Sequence, residues 1–366
     1  LHFNTGFMLR SLAESGQLDG AEHLLMLPDL FAFWLGGEPK LERTNVSTTQ
    51  LYDPERATWS EAAIAGLGLP RRLFTTEIVD PATGLGTVGA DIAAAAGLSP
   101  QVRIVATGSH DTAASVAAVP ATTRTWAYIS SGTWSLMGIE RATPLKTPEA
   151  MRANLTNEVG VGGMIRLLRN VMGLWLVQES RRQWAREGRE WSHAELAALA
   201  ESAPAFGPLI DPDAIDLFTP GDIPGRIRAA CVASSQPAPG SPGEIIRCAL
   251  ESLALRYAQV LDLLEQVGGE RIEAVHIVGG GALNRLLCQL TADACGRPVI
   301  AGPAESTALG NVLVQLMADG EASSLADIRQ IARASSHIVR YEPGSDQAQH
   351  VERRAEFDRL FPIPLG

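Results

Sequence analysis

The sequence predicts an α/β protein of two domains, and three observations carry that prediction. The run Ala274-Val275-His276-Ile277-Val278, the glycines Gly279 to Gly281, a helical stretch over 282–295 and the strand Pro298-Val299-Ile300-Ala301 make a β-α-β unit. Such a crossover is right-handed, and its glycines let backbone approach a ligand at the carboxyl end of the first strand. Residues 127–140 read as strand, small-residue turn and strand, a hairpin that suits the start of a second domain. Finally, 366 residues with 46% hydrophobic content can bury more than one core.

Taken in order, residues 21–35 are rich in Leu, Met, Phe and Trp and predict a helix that Gly36-Gly37 ends. Residues 44–50 are small and polar, and residues 59–67 predict a second apolar helix stopped by Gly68 and Pro70. The β-branched run 103–106 predicts a strand that delivers Gly108-Ser109-His110-Asp111-Thr112 at its end, followed by a helix over 113–119 closed by Pro120. The domain boundary falls near Pro120 to Arg124, giving residues 1–122, 123–335 and a C-terminal tail or helix over 336–366. Residues 167–189 read as a helix with Leu168, Val171, Met172, Trp175, Leu176 and Glu179 on related turns, and residues 206–238 as a proline-broken loop. Ser241-Pro242-Gly243-Glu244 then opens the clearest helix, with a capping Ser, Pro at the first helical position and Glu three residues after the cap. Residues 305–317 give one more helix, in which Gly310 permits close packing.

Composition narrows the function. A net charge of −11 argues against a nucleic acid or an anionic membrane as partner and favours a small soluble substrate. No apolar stretch reaches the length of a bilayer span and no signal-like start precedes residue 10, so the expected compartment is the cytoplasm. Nothing in the sequence fixes an oligomeric state. The four cysteines form no C-x-x-C pair; Cys288 and Cys295 share a helix, while Cys231 and Cys248 flank a Pro/Gly/Ser loop that can bring them together. The seven histidines lack zinc spacing. Lys40 and Lys146, the only lysines, lie in neither a P-loop nor a protein-kinase lysine strand, so phosphates would be held by backbone amides, hydroxyls and a metal ion. The glycine run is not a dinucleotide fingerprint either, since Asn284 stands where G-x-G-x-x-G needs its last glycine.

The most telling residues are Gly108 to Thr112 and the run Tyr128-Ile129-Ser130-Ser131-Gly132-Thr133-Trp134. An isolated carboxylate beside a hydroxyl-rich turn suits phosphoryl transfer to an alcohol: Asp111 takes the acceptor's proton while backbone N–H and Ser/Thr O–H groups hold the donor phosphates. The plainer alternative makes Asp111 a helix cap, Thr133 a hairpin residue, Asn170 and Gln178 polar-face helix residues and Gly280 a packing glycine, with Trp134 and Trp175 in the core.

Five strings in order, Gly-Ser-His-Asp-Thr, Ser-Ser-Gly-Thr-Trp-Ser-Leu-Met-Gly, Asn170-Val171-Met172-Gly173-Leu174-Trp175, Val278-Gly279-Gly280-Gly281 and Ala301-Gly302-Pro303-Ala304-Glu305, strongly resemble the rhamnulokinase group of the FGGY carbohydrate-kinase family. The resemblance runs from about Phe3 to Tyr341. It implies an actin-like ATPase, ribonuclease-H-like fold with two domains about a central cleft, and ATP-dependent, Mg2+-assisted phosphorylation of L-rhamnulose at its 1-hydroxyl. It further implies Asp111 as the catalytic proton acceptor, with His110, Asp111, Thr112 and Asn170 on the sugar and Thr133, Gln178 and Gly280 on the nucleotide. A kinase for fuculose or xylulose, or a noncatalytic sugar or nucleotide sensor, shares much of this pattern. Family members also carry an early D-x-G-x-x-S phosphate loop that these residues lack, and the chain is read on that ground as an incomplete form of the enzyme.

Overall fold

Seven strands between residues 126 and 341 pair into one mixed sheet, which forms the floor of the largest core and sets the position of the glycine loop and the hairpin. The computed structural model describes residues 4–363. The strands are β1 (Trp126–Ser131), β2 (Trp134–Arg141), β3 (Thr156–Val159), β4 (Ile165–Met172), β5 (Ala274–Val278), β6 (Val299–Ala301) and β7 (Val339–Tyr341), in the order β7-β6-β5-β1-β2-β4-β3. β5 runs parallel to both β1 and β6, as the β-α-β reading requires, and β1 and β2 form the expected hairpin. The sheet packs against the 27-residue helix Pro242–Gly268, which starts at the capping box of Ser241 and Glu244 and ends at Gly269 with φ of +78°. Apolar residues of β1, β2, β4 and β5 share one core with that helix and with the helix Arg285–Cys295.

Several boundaries differ from the sequence reading. Residues 165–172 are strand β4 and the helix begins only at Trp175, so Asn170 sits on a strand and Gln178 on a helix. β4 is flanked by β2 and β3 and is almost wholly buried on both faces, so its apolar residues Leu167, Leu168, Val171 and Met172 do not alternate with polar ones and fit a helical spacing as well as a strand. The first helix of residues 21–35 is confined to Leu27–Trp34, because Pro28 fits the first turn and nothing before it. Trp59 lies in a short strand, Ser60 caps the helix Glu61–Gly66, and the proline-rich loop holds the helix Ile223–Ala233 opened by Asp222 and Pro224.

The first part of the chain packs its own small core around Leu41, Val46, Leu51, Trp59 and Phe74. It meets the second through two helices, Asp111–Ala117 and Ser306–Ala318, which contact each other at Ala114 and Gly310. Ser115 and Ser306 share a hydrogen bond of 2.6 Å, and Asn311 donates to Thr107 at 3.1 Å. Cys231 and Cys248 are buried thiols with sulfurs 3.9 Å apart. Among the described residues no helix is long and apolar enough to cross a membrane.

Candidate active site

The strand Arg103–Ala106 ends in a tight turn, Gly108 to His110, that launches the helix Asp111–Ala117. Glu42 sets this turn. Its buried carboxylate accepts from Ser109 N at 3.0 Å, Ser109 Oγ at 2.7 Å, Thr44 N at 2.8 Å and Asn45 N at 3.3 Å, and from the Thr44 hydroxyl. Thr44 Oγ1 in turn accepts from His110 N at 3.2 Å. The helix cap is therefore His110, whose Nδ1 accepts from Thr112 N at 3.1 Å, and Asp111 is the first helical residue. Although its Oδ1 also accepts from Thr112 N at 2.6 Å, the Asp111 side chain remains 80% exposed.

Opposite, the β1–β2 hairpin turns at Gly132-Thr133. The turn's carbonyls accept from Leu174 N and Trp175 N, both at 3.0 Å, which fixes the start of the helix Trp175–Arg186 against it. That seat brings Thr133 Oγ1 to donate to Gln178 Oε1 at 3.2 Å. The glycine loop packs on the same hairpin: a Cβ at Gly279 would lie 2.8 Å from the Ser131 carbonyl, and one at Gly281 would lie 2.1 Å from Ser131 Oγ. Gly280 faces open space, so a ligand can approach its backbone closely.

One cavity of about 600 Å³ joins these parts. His110, Asp111, Thr112, Thr133, Asn170 and Gly280 all line it; of the residues singled out in the sequence only Gln178 does not, and it adjoins through Thr133. Trp134, expected in the core, also lines the cavity, whereas Trp175 packs inward with its indole N–H donating to Leu217 O at 2.9 Å. The sequence reading missed three contributors: Glu158 and Glu305 in the wall, and Glu42 behind it. Lys40 and Lys146 are not in the wall and pair with Glu38, Glu77 and with Glu55, Asp53 elsewhere. Among the described residues no group of three or more His, Cys, Asp or Glu side chains could hold a metal ion.

Electrostatics follow from burial. The His110 imidazole is held below the usual histidine range by burial and then by the positive Arg166, so it is neutral near pH 7. Asp29, which accepts from Glu42 N at 3.1 Å, is pushed up to about 7, chiefly by burial, with the neighbouring Glu42 carboxylate adding to the rise. A carboxyl whose folded pKa is raised stabilises the fold fully below its unfolded value of 3.8 and loses that contribution as pH rises through about 7. Asp29→Asn is therefore expected to match the wild type in urea denaturation near pH 4, and to exceed it near pH 8 by on the order of a few kcal/mol. Wild-type and variant stabilities that fall in parallel across that range would contradict this assignment.

Comparison with known proteins identifies the family. The C-terminal domain pattern of the FGGY family of carbohydrate kinases matches residues 127–318, and its N-terminal domain pattern matches residues 3–118. This chain belongs to the FGGY family of carbohydrate kinases. It is 40% identical over 345 residues to a rhamnulokinase of Bacteroides thetaiotaomicron, covering 94% of this chain and 70% of that protein. It is 42% identical over 373 residues to a rhamnulokinase of Pectobacterium carotovorum, covering 100% of this chain and 72% of that protein. Among solved structures, a xylulose kinase from Rhodospirillum rubrum superposes with a TM-score of 0.73 at 20% identity, covering 99% of this chain and 72% of that one. A Plasmodium falciparum glycerol kinase with ADP gives 0.69 at 17% identity, covering 100% and 74%. The fold is thus the α/β, actin-like ATPase fold of the FGGY kinases, and the cavity draws residues from both matched segments.

Proposed function

We propose that this carbohydrate kinase transfers the terminal phosphoryl group of ATP to the 1-hydroxyl of L-rhamnulose in the cytoplasm, with the chain divided functionally at residues 122 and 335. The observation that carries the reading is that an exposed carboxylate, Asp111, opens into the same cavity as Thr133, Gly280 and Asn170. The identity of 40–42% to two rhamnulokinases supports the choice of ketose.

In this reading Asp111 accepts the proton of the primary hydroxyl. An alcohol is a far weaker acid than a carboxylic acid, so that proton moves only as bond formation to phosphorus acidifies it. Neutral His110 donates from Nε2 to the sugar, because its Nδ1 already accepts from Thr112 N. Asn170 projects from β4 into the sugar side, and Thr112 completes that wall. On the nucleotide side Thr133 and the Gly280 backbone meet the phosphates, with Gln178 orienting the Thr133 hydroxyl. The donor set fits Mg2+ held mainly by phosphate: Asp111 and Glu305 are carboxylates in the wall without a protein cage around them, and the ion would neutralise phosphate charge.

A coupled ADP-release assay with L-rhamnulose, L-fuculose and D-xylulose tests the proposal. Turnover with L-rhamnulose at least about tenfold above the other two in kcat/KM is expected, a discrimination of roughly 1.4 kcal/mol. Equal rates on all three would remove the rhamnulose assignment, and binding of ATP and ketose without ADP release would favour a sensor.

A further inference from the structure

Glu158 is a carboxylate in the cavity wall that is only 9% exposed. Burying such a group is costly unless it is paired, and its partner is Arg166, wholly buried and 3.1 Å away. The two are direct cross-strand neighbours in the β3–β4 register, so the sheet itself fixes the pair. Asn170 stands four residues beyond Arg166 on β4, on the same face. Thr156 donates to the other Glu158 oxygen at 3.2 Å. A carboxylate offers about four acceptor positions, so Glu158 keeps capacity to spare.

The neighbour beside it in the cavity wall is His110. Because Nδ1 accepts from Thr112 N, the imidazole proton sits on Nε2, 3.8 Å from Glu158 Oε2. That separation is too long for a hydrogen bond between them. A donor and a charged acceptor therefore stand side by side in one wall, not used on each other. A hydroxyl is the group that satisfies both at once, accepting from the imidazole and donating to the carboxylate. A carboxylate ligand would be repelled by Glu158, and a methylene would neither accept from the imidazole nor use the spare acceptor capacity of Glu158.

Resting on the kinase reading above, we infer that Glu158 determines sugar specificity, by accepting a hydrogen bond from a secondary hydroxyl of the ketose that His110 Nε2 simultaneously donates to. Removing that hydroxyl costs the wild type both bonds. Removing the carboxylate leaves only the bond from His110, so the cost of lacking the hydroxyl shrinks.

Isothermal titration of the whole chain with L-rhamnulose and its 3-deoxy and 4-deoxy analogues tests this, in the wild type and in Glu158→Gln, which keeps an oxygen acceptor for Arg166. The wild type is expected to bind L-rhamnulose at least about tenfold tighter than one of the two analogues. In Glu158→Gln that preference collapses to within about threefold, while the affinity for the discriminated analogue itself stays near the wild-type value. Glu158→Asp, which retains the charge on a shorter arm, falls between. Affinities for all three sugars that drop in parallel in Glu158→Gln, or a preference that survives unchanged, would overturn the assignment and leave Glu158 a structural partner of Arg166. A wild type that discriminates against neither analogue would overturn it as well. A wild type that binds none of the sugars would instead bring down the ketose-kinase reading, and this assignment with it.

Discussion

Asp111→Asn is expected to lower kcat by about 10²- to 10⁴-fold while leaving the affinity for ATP near the wild-type value. The asparagine has the size of the carboxylate and keeps the oxygen that accepts from Thr112 N, so the turn held by Glu42 and the helix it launches should survive intact. What it lacks is the ability to take a proton. Asp111 follows the His110 cap and is mostly exposed, so losing its charge at the helix start costs only about 0.3–1 kcal/mol of stability, and a merely structural Asp111 would tolerate the change with little loss. The two interpretations therefore part on kcat alone. Stopped-time assays of product sugar phosphate, with nucleotide binding followed separately by titration calorimetry, provide the readout. A variant with kcat within about threefold of the wild type would remove the base from the mechanism.

The second large effect is expected at the helix crossing behind Asp111. Gly310 lies where the helix Ser306–Ala318 crosses the helix Asp111–Ala117, and a Cβ there would stand 1.8 Å from the Ala114 carbonyl oxygen and 2.5 Å from its carbon. Both are backbone atoms, so relief requires the helices to move apart and cannot come from a rotamer change. The helix displaced is the one that begins with Asp111. Gly310→Ala is expected to lower the melting temperature by roughly 2–4 °C, and Gly310→Val to do so further, consistent with overpacking costs of about 1–3 kcal/mol or greater. Ketose affinity should fall together with stability, since the Asp111 and His110 end of the helix forms the sugar side of the cavity. A Gly310→Ala protein with unchanged melting temperature and unchanged sugar affinity would mean that the two helices are free to separate.

How much of the fold and site was legible depends on whether a role is local in sequence. The hairpin of residues 126–141, the glycine loop and the capping box at Ser241 each announce themselves within a few residues, and each is found where the sequence places it. Asp111, Thr133, Asn170 and Gly280 were legible as a set, and the fold brings them to one cavity. Strand β4 was misread because a strand covered on both sides loses the alternation by which strands are recognised. Glu42 and Glu158 were invisible for a different reason. Glu42 acts on Ser109 across 67 positions, and Glu158 acquires its partner from the β3–β4 register, so neither has a sequence signature of its own. Trp134 packs against the core as its size predicts and in addition borders the cavity, a second role that its place in the sequence does not show.

The account depends most on the Asp111 carboxylate lying beside the hydroxyl that becomes phosphorylated. A crystal structure of the chain with L-rhamnulose and a non-hydrolysable ATP analogue measures that directly. The expected result is a sugar between His110, Glu158 and Asn170 with its 1-hydroxyl oxygen about 2.6–3.2 Å from an Asp111 carboxylate oxygen and the phosphates over Thr133 and Gly280. A sugar seated outside this cavity, or one inside it with its 1-hydroxyl turned away from Asp111 in the presence of the nucleotide, would contradict the account.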